Sequence, residues 1–513
     1  MRKYLYMISV AVLLMTGSSC DKLMDTSPTA DLGSNQVFAS ASSSLTAING
    51  IYRAMYVAEW GPAWEHENGG IMAYILASDL MGEDHIMNAM GSGWFFYDHV
   101  YGIGGDYTKA ESRQGQCWNF FYTLINNANN IIAQEENIQD DPNLASYVVG
   151  QAYAVRAFSY LWLVQNYQQS DPSLPGVPVY TEPTTITSKG KGRGTVQDVY
   201  DRINEDLEDA IEKLSQSSVA KQHPSHIDLG AAYGLQARAL LAQKDYAGAE
   251  TAALNALDAT SAAVVPFNQT VKVNDVSAKN VMWGLAIQTD QSPANAGIYA
   301  HLDADSGGTY SEGVQHEISA WLYDNLPETD ARKAWWTAPL PEEDWVINSS
   351  QRSYVQVKFV YKDASLGTGD YILMRAEEMA LIAAEAACHQ KKFTEAKTYV
   401  SMVTKERDTD YQANLAKYTE SEIYGQETSA GLVTLMDYIL YQRRVELWGE
   451  VSRIHDLKRL GLGVNRDYAH PTNNHIDKSI YEAGDPFTIY SIPLFEFDGN
   501  DALDIAKDQN PFE

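Results

Sequence analysis

The pattern of apolar and polar positions is sharpest between Tyr371 and Arg407. Apolar and small residues recur at three and four spacing through Met374, Met379, Leu381, Ile382, Ala386 and Ala387. They break at Gln390-Lys391-Lys392 and resume with Phe393, Ala396, Tyr399 and Val400. This spacing predicts two short helices joined by a tight turn. Ala383, Ala384, Ala386 and Ala387 leave little bulk on one face, so a second helix can pack closely and antiparallel. The same register occurs upstream, where Gln243-Lys244-Asp245-Tyr246 and Ala249 match Gln390, Lys391, Phe393 and Ala396. Helical spacing also covers Ala41 to Val57, Cys117 to Ala133, Leu144 to Tyr167 and Leu432 to Leu460. Thr195, with Asp198 three residues on, is placed to cap the helix that follows it. Periodicity is lost between Ala58 and Gly105. It turns irregular and strand-like from Ala259 to Gly369, apart from one helix near His316 to Asn325, and the tail from Gly461 is broken by Pro and Gly.

A repeated unit of a small-residue helix, a tight turn, an aromatic and then Ala is the pattern of tetratricopeptide hairpins, although the Trp and Gly positions of that signature are not matched. The expected fold is therefore mainly α, a tetratricopeptide-like scaffold of helical hairpins with loop-rich excursions and a few short strands. Residues 1–19 carry Arg2 and Lys3, then an apolar core too short to span a membrane, as a secretory signal does. Small residues lead directly to Cys20, as in a bacterial lipobox, so Cys20 is expected to carry the lipid anchor. Residues 20–36 then form a polar tether. Residues 37–513 read as a single domain, with helical segments near 41–57, 112–167, 195–257, 371–407 and 429–461, and loop-rich segments at 58–105 and 259–369.

A net charge of −30 and a pI near 4.7 exclude nucleic acid and other polyanions as electrostatic partners. Cys117 and Cys388 lie in helical patterns and read as small buried hydrophobes. The run Ser188 to Gly194, SKGKGRG, lacks the ending of a phosphate loop and reads as a solvated linker. Asp303-x-Asp305-x-Gly307 begins like a calcium loop, but Val314 stands where the bidentate Glu belongs, so no metal is assigned. His389 and His455 lack ligand-spaced partners, and no cofactor motif is present. Glu446 with Glu450, and Arg443 with Arg453, are better read as ion-paired surface or interhelix contacts than as a hydrolytic carboxylate pair.

Several stretches in order resemble the SusD/RagB family of outer-membrane nutrient-binding lipoproteins. They are the lipobox, Leu45 to Tyr52 (LTAINGIY), Gln151 to Tyr160 (QAYAVRAFSY), Arg375-Ala376-Glu377-Glu378, and Gln442 to Leu447 (QRRVEL). The chain then closes with Ile492-Pro493 and Gln509-Asn510-Pro511. The resemblance implies a tetratricopeptide scaffold, no catalysis, a lipid-anchored place on the outer-membrane surface, a SusC-like TonB-dependent transporter as partner, and an oligosaccharide ligand. A peptide or another non-glycan nutrient in the same complex is the alternative. Sugars present apolar C–H faces ringed by hydroxyls, so aromatics outside helical periodicity are the natural platforms. Trp94, next to Gly91 and Gly93 and followed by Tyr97, leads. Trp60, Trp64, Tyr310, Trp336 and Trp345 complete the candidate set, whereas Trp118, Trp162, Trp283 and Trp448 sit in regular patterns and read as core.

Overall fold

Where the three-and-four spacing runs, and at α2 without it, the chain is helical: α1 (Ala41–Ala54), α2 (Ile71–Leu80), α3 (Arg113–Ile132), α4 (Pro142–Tyr167), α5 (Val196–Gln216), α6 (Leu229–Ala242), α7 (Tyr246–Asp258), α8 (Ala376–His389), α9 (Phe393–Thr404), α10 (Leu435–Glu446) and α11 (Arg453–Leu460). The computed structural model describes residues 40–57, 66–101, 108, 112–138, 140–306, 310–340, 353–425, 431–466 and 479–511. Cys20, Trp60, Trp64 and Trp345 lie outside the described residues. Seven of these helices start on a short polar side chain that accepts a backbone N–H. The Thr195 hydroxyl accepts from Asp198 N at 3.1 Å while the Asp198 carboxylate accepts from Thr195 N at 2.8 Å, and Thr434 and Asp437 repeat the device on α10.

The two repeats turn alike. Lys244 and Lys391, at equivalent places, both adopt left-handed backbone with φ of 64° and 62°. Helices α3 to α7 pack in sequential order, α3 on α4, α4 on α5, α5 on α6 and α6 on α7. Helix α7 then meets α8 although the segment from Ala259 to Arg375 separates them in sequence. At that join Gln390 Nε2 donates to the Glu250 carboxylate at 2.8 Å, and His389 stacks on Tyr246 at 3.8 Å. Helix α8 thus joins two cores, Met379, Ile382 and Ala386 packing with the main one and Leu381, Ala384 and Ala387 with a second built on α9 and α10, and the long excursion loops out between α7 and α8.

Local spacing misses three features, each for a physical reason. Helix α2 has no amphipathic period because all ten of its residues are buried, so it has no polar face to mark. Tyr371–Arg375 is a strand, β4, not the first helical turn. It pairs antiparallel with β2 (Val281–Leu285), and its side chains are all buried. The run from Leu432 to Leu460 divides into α10 and α11 at Gly449, whose φ is 74°; a Cβ there would meet the Phe359 ring at 2.6 Å.

The charges of α10 are not on the surface. Arg375 donates to Glu450 at 2.6 Å and Glu446 at 3.0 Å, and Arg407 bridges Glu377 at 2.8 Å and Glu446 at 3.0 Å. Lys358 pairs with Glu450 at 2.6 Å and Arg332 with Asp330 at 2.6 Å. Four cations and four carboxylates, all buried, hold the excursion and β4 to the helical core. The RAEE and QRRVEL stretches meet in this cluster. Cys117 and Cys388 are buried free thiols, and burial pushes both up to about 12.

Candidate functional site

Two short strands, β1 (His85–Met87) and β3 (His316–Ile318), pair antiparallel. This brings the glycine-rich loop after β1 beside the segment before β3. Gly91 and Gly93 take positive φ, 52° and 91°, and the chain then enters Phe95, itself left-handed at φ 59°. A non-glycine residue there needs outside support. The Phe95 N–H donates to the Glu67 carboxylate at 2.7 Å, and the Arg113 guanidinium lies over the Phe95 ring at 5.0 Å. Arg113 forks onto Asp98 at 3.1 to 3.2 Å and donates to Glu67 O at 3.0 Å. Burial opposes the Arg113 charge, but Asp98 and Glu67 outweigh it and hold the guanidinium above its ordinary range.

On this clamped foot stands an aromatic cluster drawn from three separate segments. Trp94, half-buried, meets Tyr310 edge-on at 6.3 Å, and His66 lies between them at 5.7 Å from Trp94 and 5.5 Å from Tyr310. The Tyr310 hydroxyl is hydrogen-bonded to His66 Nδ1. Below, buried His301 stacks on Tyr310 at 5.0 Å, takes the Phe95 ring edge-on at 4.9 Å, and its Nε2 contacts the His66 carbonyl oxygen at 2.6 Å. Burial pushes His301 down to about 4, partly offset by that bond, so the imidazole is neutral at pH 7 and donates through Nε2. Tyr97 is 52 % exposed at the outer edge of the loop, its ring edge-on to Phe96. The cluster presents ring faces and hydroxyl and imidazole groups.

Of the sequence candidates, the fold brings Trp94 and Tyr310 together and leaves Tyr97 exposed beside them. Trp336 does not join them. It is 3 % exposed and packs in the core, its ring edge-on to Trp335 and Trp448 at 6.0 and 5.8 Å and its backbone paired with Gln356 in an isolated bridge. His66 and His301 carry no spacing signal, and only their contact in the folded chain brings them to the cluster. Asp303 is occupied by backbone donors, accepting from Asp305 N and Tyr361 N at 3.0 Å each.

Two family models match in tandem. One, described as starch-binding associating with outer membrane, covers residues 70–241, and that of the SusD family covers residues 323–497. The chain belongs to the SusD family. Among SusD-family relatives it is similar to SusD-like protein P2 of Formosa agariphila, 25 % identical over 89 % of this chain and 91 % of the relative. The fold matches a SusD-like carbohydrate binding protein from Bacteroides vulgatus with TM-score 0.74 at 24 % identity, covering 92 % of this chain and 98 % of that one. It also matches surface glycan-binding protein A from Bacteroides fluxus with TM-score 0.66 at 17 % identity, covering 92 % and 99 %. SusD-family membership agrees with the outer-membrane association that the first description states. Among the described residues no helix is long and apolar enough to cross a membrane.

Proposed function

We propose that this SusD-family protein binds an oligosaccharide at the cell surface and passes it to a SusC-like TonB-dependent transporter, without catalysis, while held on the outer membrane by lipid at Cys20. The aromatic cluster of Trp94, Tyr310 and His66, with Tyr97 exposed beside it, carries the reading: ring faces flanked by hydroxyl and imidazole groups suit a sugar's C–H faces and hydroxyls. The carbohydrate-binding and glycan-binding proteins that share the fold support the ligand class. The conspicuous carboxylates, Glu446 and Glu450, are committed to Arg375 and Arg407, which supports binding over hydrolysis. Full-length protein in detergent, applied to a polysaccharide array, is expected to retain at least one glycan and to release no reducing sugar from it. Release of reducing ends would overturn the non-catalytic reading, and retention of peptides alone would move the ligand to the alternative class.

A further inference from the structure

A second concavity lies on a different face of α3. Its volume is about 510 Å³, within the range of sites that hold small ligands. One wall is the helix face of Asn119, Tyr122 and Asn126, whose three and four spacing aligns them. The opposite wall is the linker around Tyr180 and Lys191 together with Phe495 of the short C-terminal helix Leu494–Gly499. Asn126 lies 13 residues beyond Arg113, the clamp of the Trp94 loop, or about 20 Å along the helix.

The walls are built to stay apart. Trp118 Nε1 donates to the Glu496 carboxylate at 3.1 Å, and Asn500 Nδ2 donates to Glu496 at 2.8 Å and to Lys191 O at 2.9 Å. These bonds tie the C-terminal helix to both α3 and the linker. The Tyr122 hydroxyl donates to Pro178 O at 2.7 Å, and the Tyr180 hydroxyl accepts from Lys191 N at 3.1 Å. The Tyr122 hydroxyl is therefore committed and offers the cleft its ring, whereas the Tyr180 hydroxyl keeps its own hydrogen to donate; the two rings meet edge-on at 5.9 Å, with the Lys191 ammonium 5.6 Å over that of Tyr180. Phe495 adds a third ring, 39 % exposed. Between the rings, Asn126 uses its oxygen on Thr184 N at 2.8 Å, which leaves its amide N–H groups for a ligand, and Asn119 projects from the same face into solvent. The lining charges balance, Glu182 and Glu496 against Lys189 and Lys191, on a chain whose net charge is −30.

Ring faces flanked by amides, with no net charge, suit a neutral polyhydroxylated ligand rather than an anion or a purely apolar molecule. We infer that this cleft is a second saccharide-binding site, independent of the Trp94 cluster, taking a neutral oligosaccharide segment. The inference rests on the proposed glycan function. The test compares full-length wild type, the combined variant Asn119→Ala/Asn126→Ala/Phe495→Ala, and Trp94→Ala on the same array, with calorimetric titration of each retained neutral oligosaccharide. The altered cleft side chains are exposed or half-buried, and a thermal melt checks the fold; Asn119→Ala alone serves if the combined variant melts early. The expected result is two binding events in wild type, of which the cleft variant loses one, weakened about tenfold or more, while Trp94→Ala keeps it. A cleft variant indistinguishable from wild type on every retained glycan overturns the second site and leaves the proposed function standing. Loss of peptide binding with glycans untouched overturns the ligand class. A wild type that retains no glycan overturns the proposed function and the cleft with it.

Discussion

Trp94 stands over a foot that other residues hold, since Phe95 is fixed by Glu67 and Arg113 whether or not the indole is present. Trp94→Ala is therefore expected to weaken oligosaccharide binding by roughly thirtyfold, about 2 kcal/mol, with the melting temperature little changed. Calorimetric titration beside a thermal melt checks this, and a large fall in melting temperature would instead assign Trp94 to the core, where truncation costs about 3 to 5 kcal/mol. His226 makes a second residue-scale prediction. The Tyr147 hydroxyl lies 3.0 Å from its Nδ1, and Asn49 Oδ1 accepts from its Nε2 at 2.6 Å, an arrangement that suits the neutral ring. Burial, with His223 and Lys221 nearby, pushes His226 down to about 4 from 6.5. The unfolded chain then binds the extra proton, so the stabilisation is full above about pH 6.5 and is lost as pH falls toward 4, by up to on the order of 3 kcal/mol. His226→Gln should flatten the stability profile across that window in urea titrations, and an unchanged slope would remove His226 from the account.

Among the elements, β4 and α10 matter most, because they join the excursion to the helical stack through buried charge. Three guanidinium groups, from Arg375, Arg407 and Arg332, hold the Glu446 carboxyl well below the usual carboxylate range although burial opposes its ionisation. Glu446→Ala strands those cations in the interior and is expected to cost about 3 to 5 kcal/mol, read as a lowered urea midpoint. A loss of less than about 1 kcal/mol, the scale of an exposed pair, would show that water reaches the cluster. At this scale the hairpins were legible because helix periodicity and the Gln-Lys turn are written in adjacent residues. Helix α2 was not, because a segment buried on every side has no face for periodicity to reveal.

For the whole molecule, attachment and partnership are expected to separate. Cys20→Ala should leave a folded, unlipidated protein lost from the membrane fraction, since firm attachment needs more than a single weak contact with the bilayer. Fractionation that still finds the variant on membranes would show that Cys20 is not the anchor. Gently solubilised wild type is expected to co-purify with a TonB-dependent barrel, and repeated recovery alone would count against the transporter partnership.

What the sequence determined by itself is what neighbouring residues decide: helices where apolar positions recur, a cap at Thr195, matching turns at Lys244 and Lys391, and a family pattern spread along the chain. Which side chains meet across long stretches of chain was decided only by tertiary structure. Trp94 and Tyr310 look alike in sequence to Trp336, as large rings outside regular spacing. The β1–β3 pairing carries the first two to one partly open cluster, while the third packs edge-on against Trp335 and Trp448 in the core. Exposure is a property of everything packed around a side chain, and most of those neighbours are distant in sequence. The charges of α10 follow the same logic: their helical spacing is visible locally, but their burial depends on Arg375, Arg407, Arg332 and Lys358 arriving from other elements.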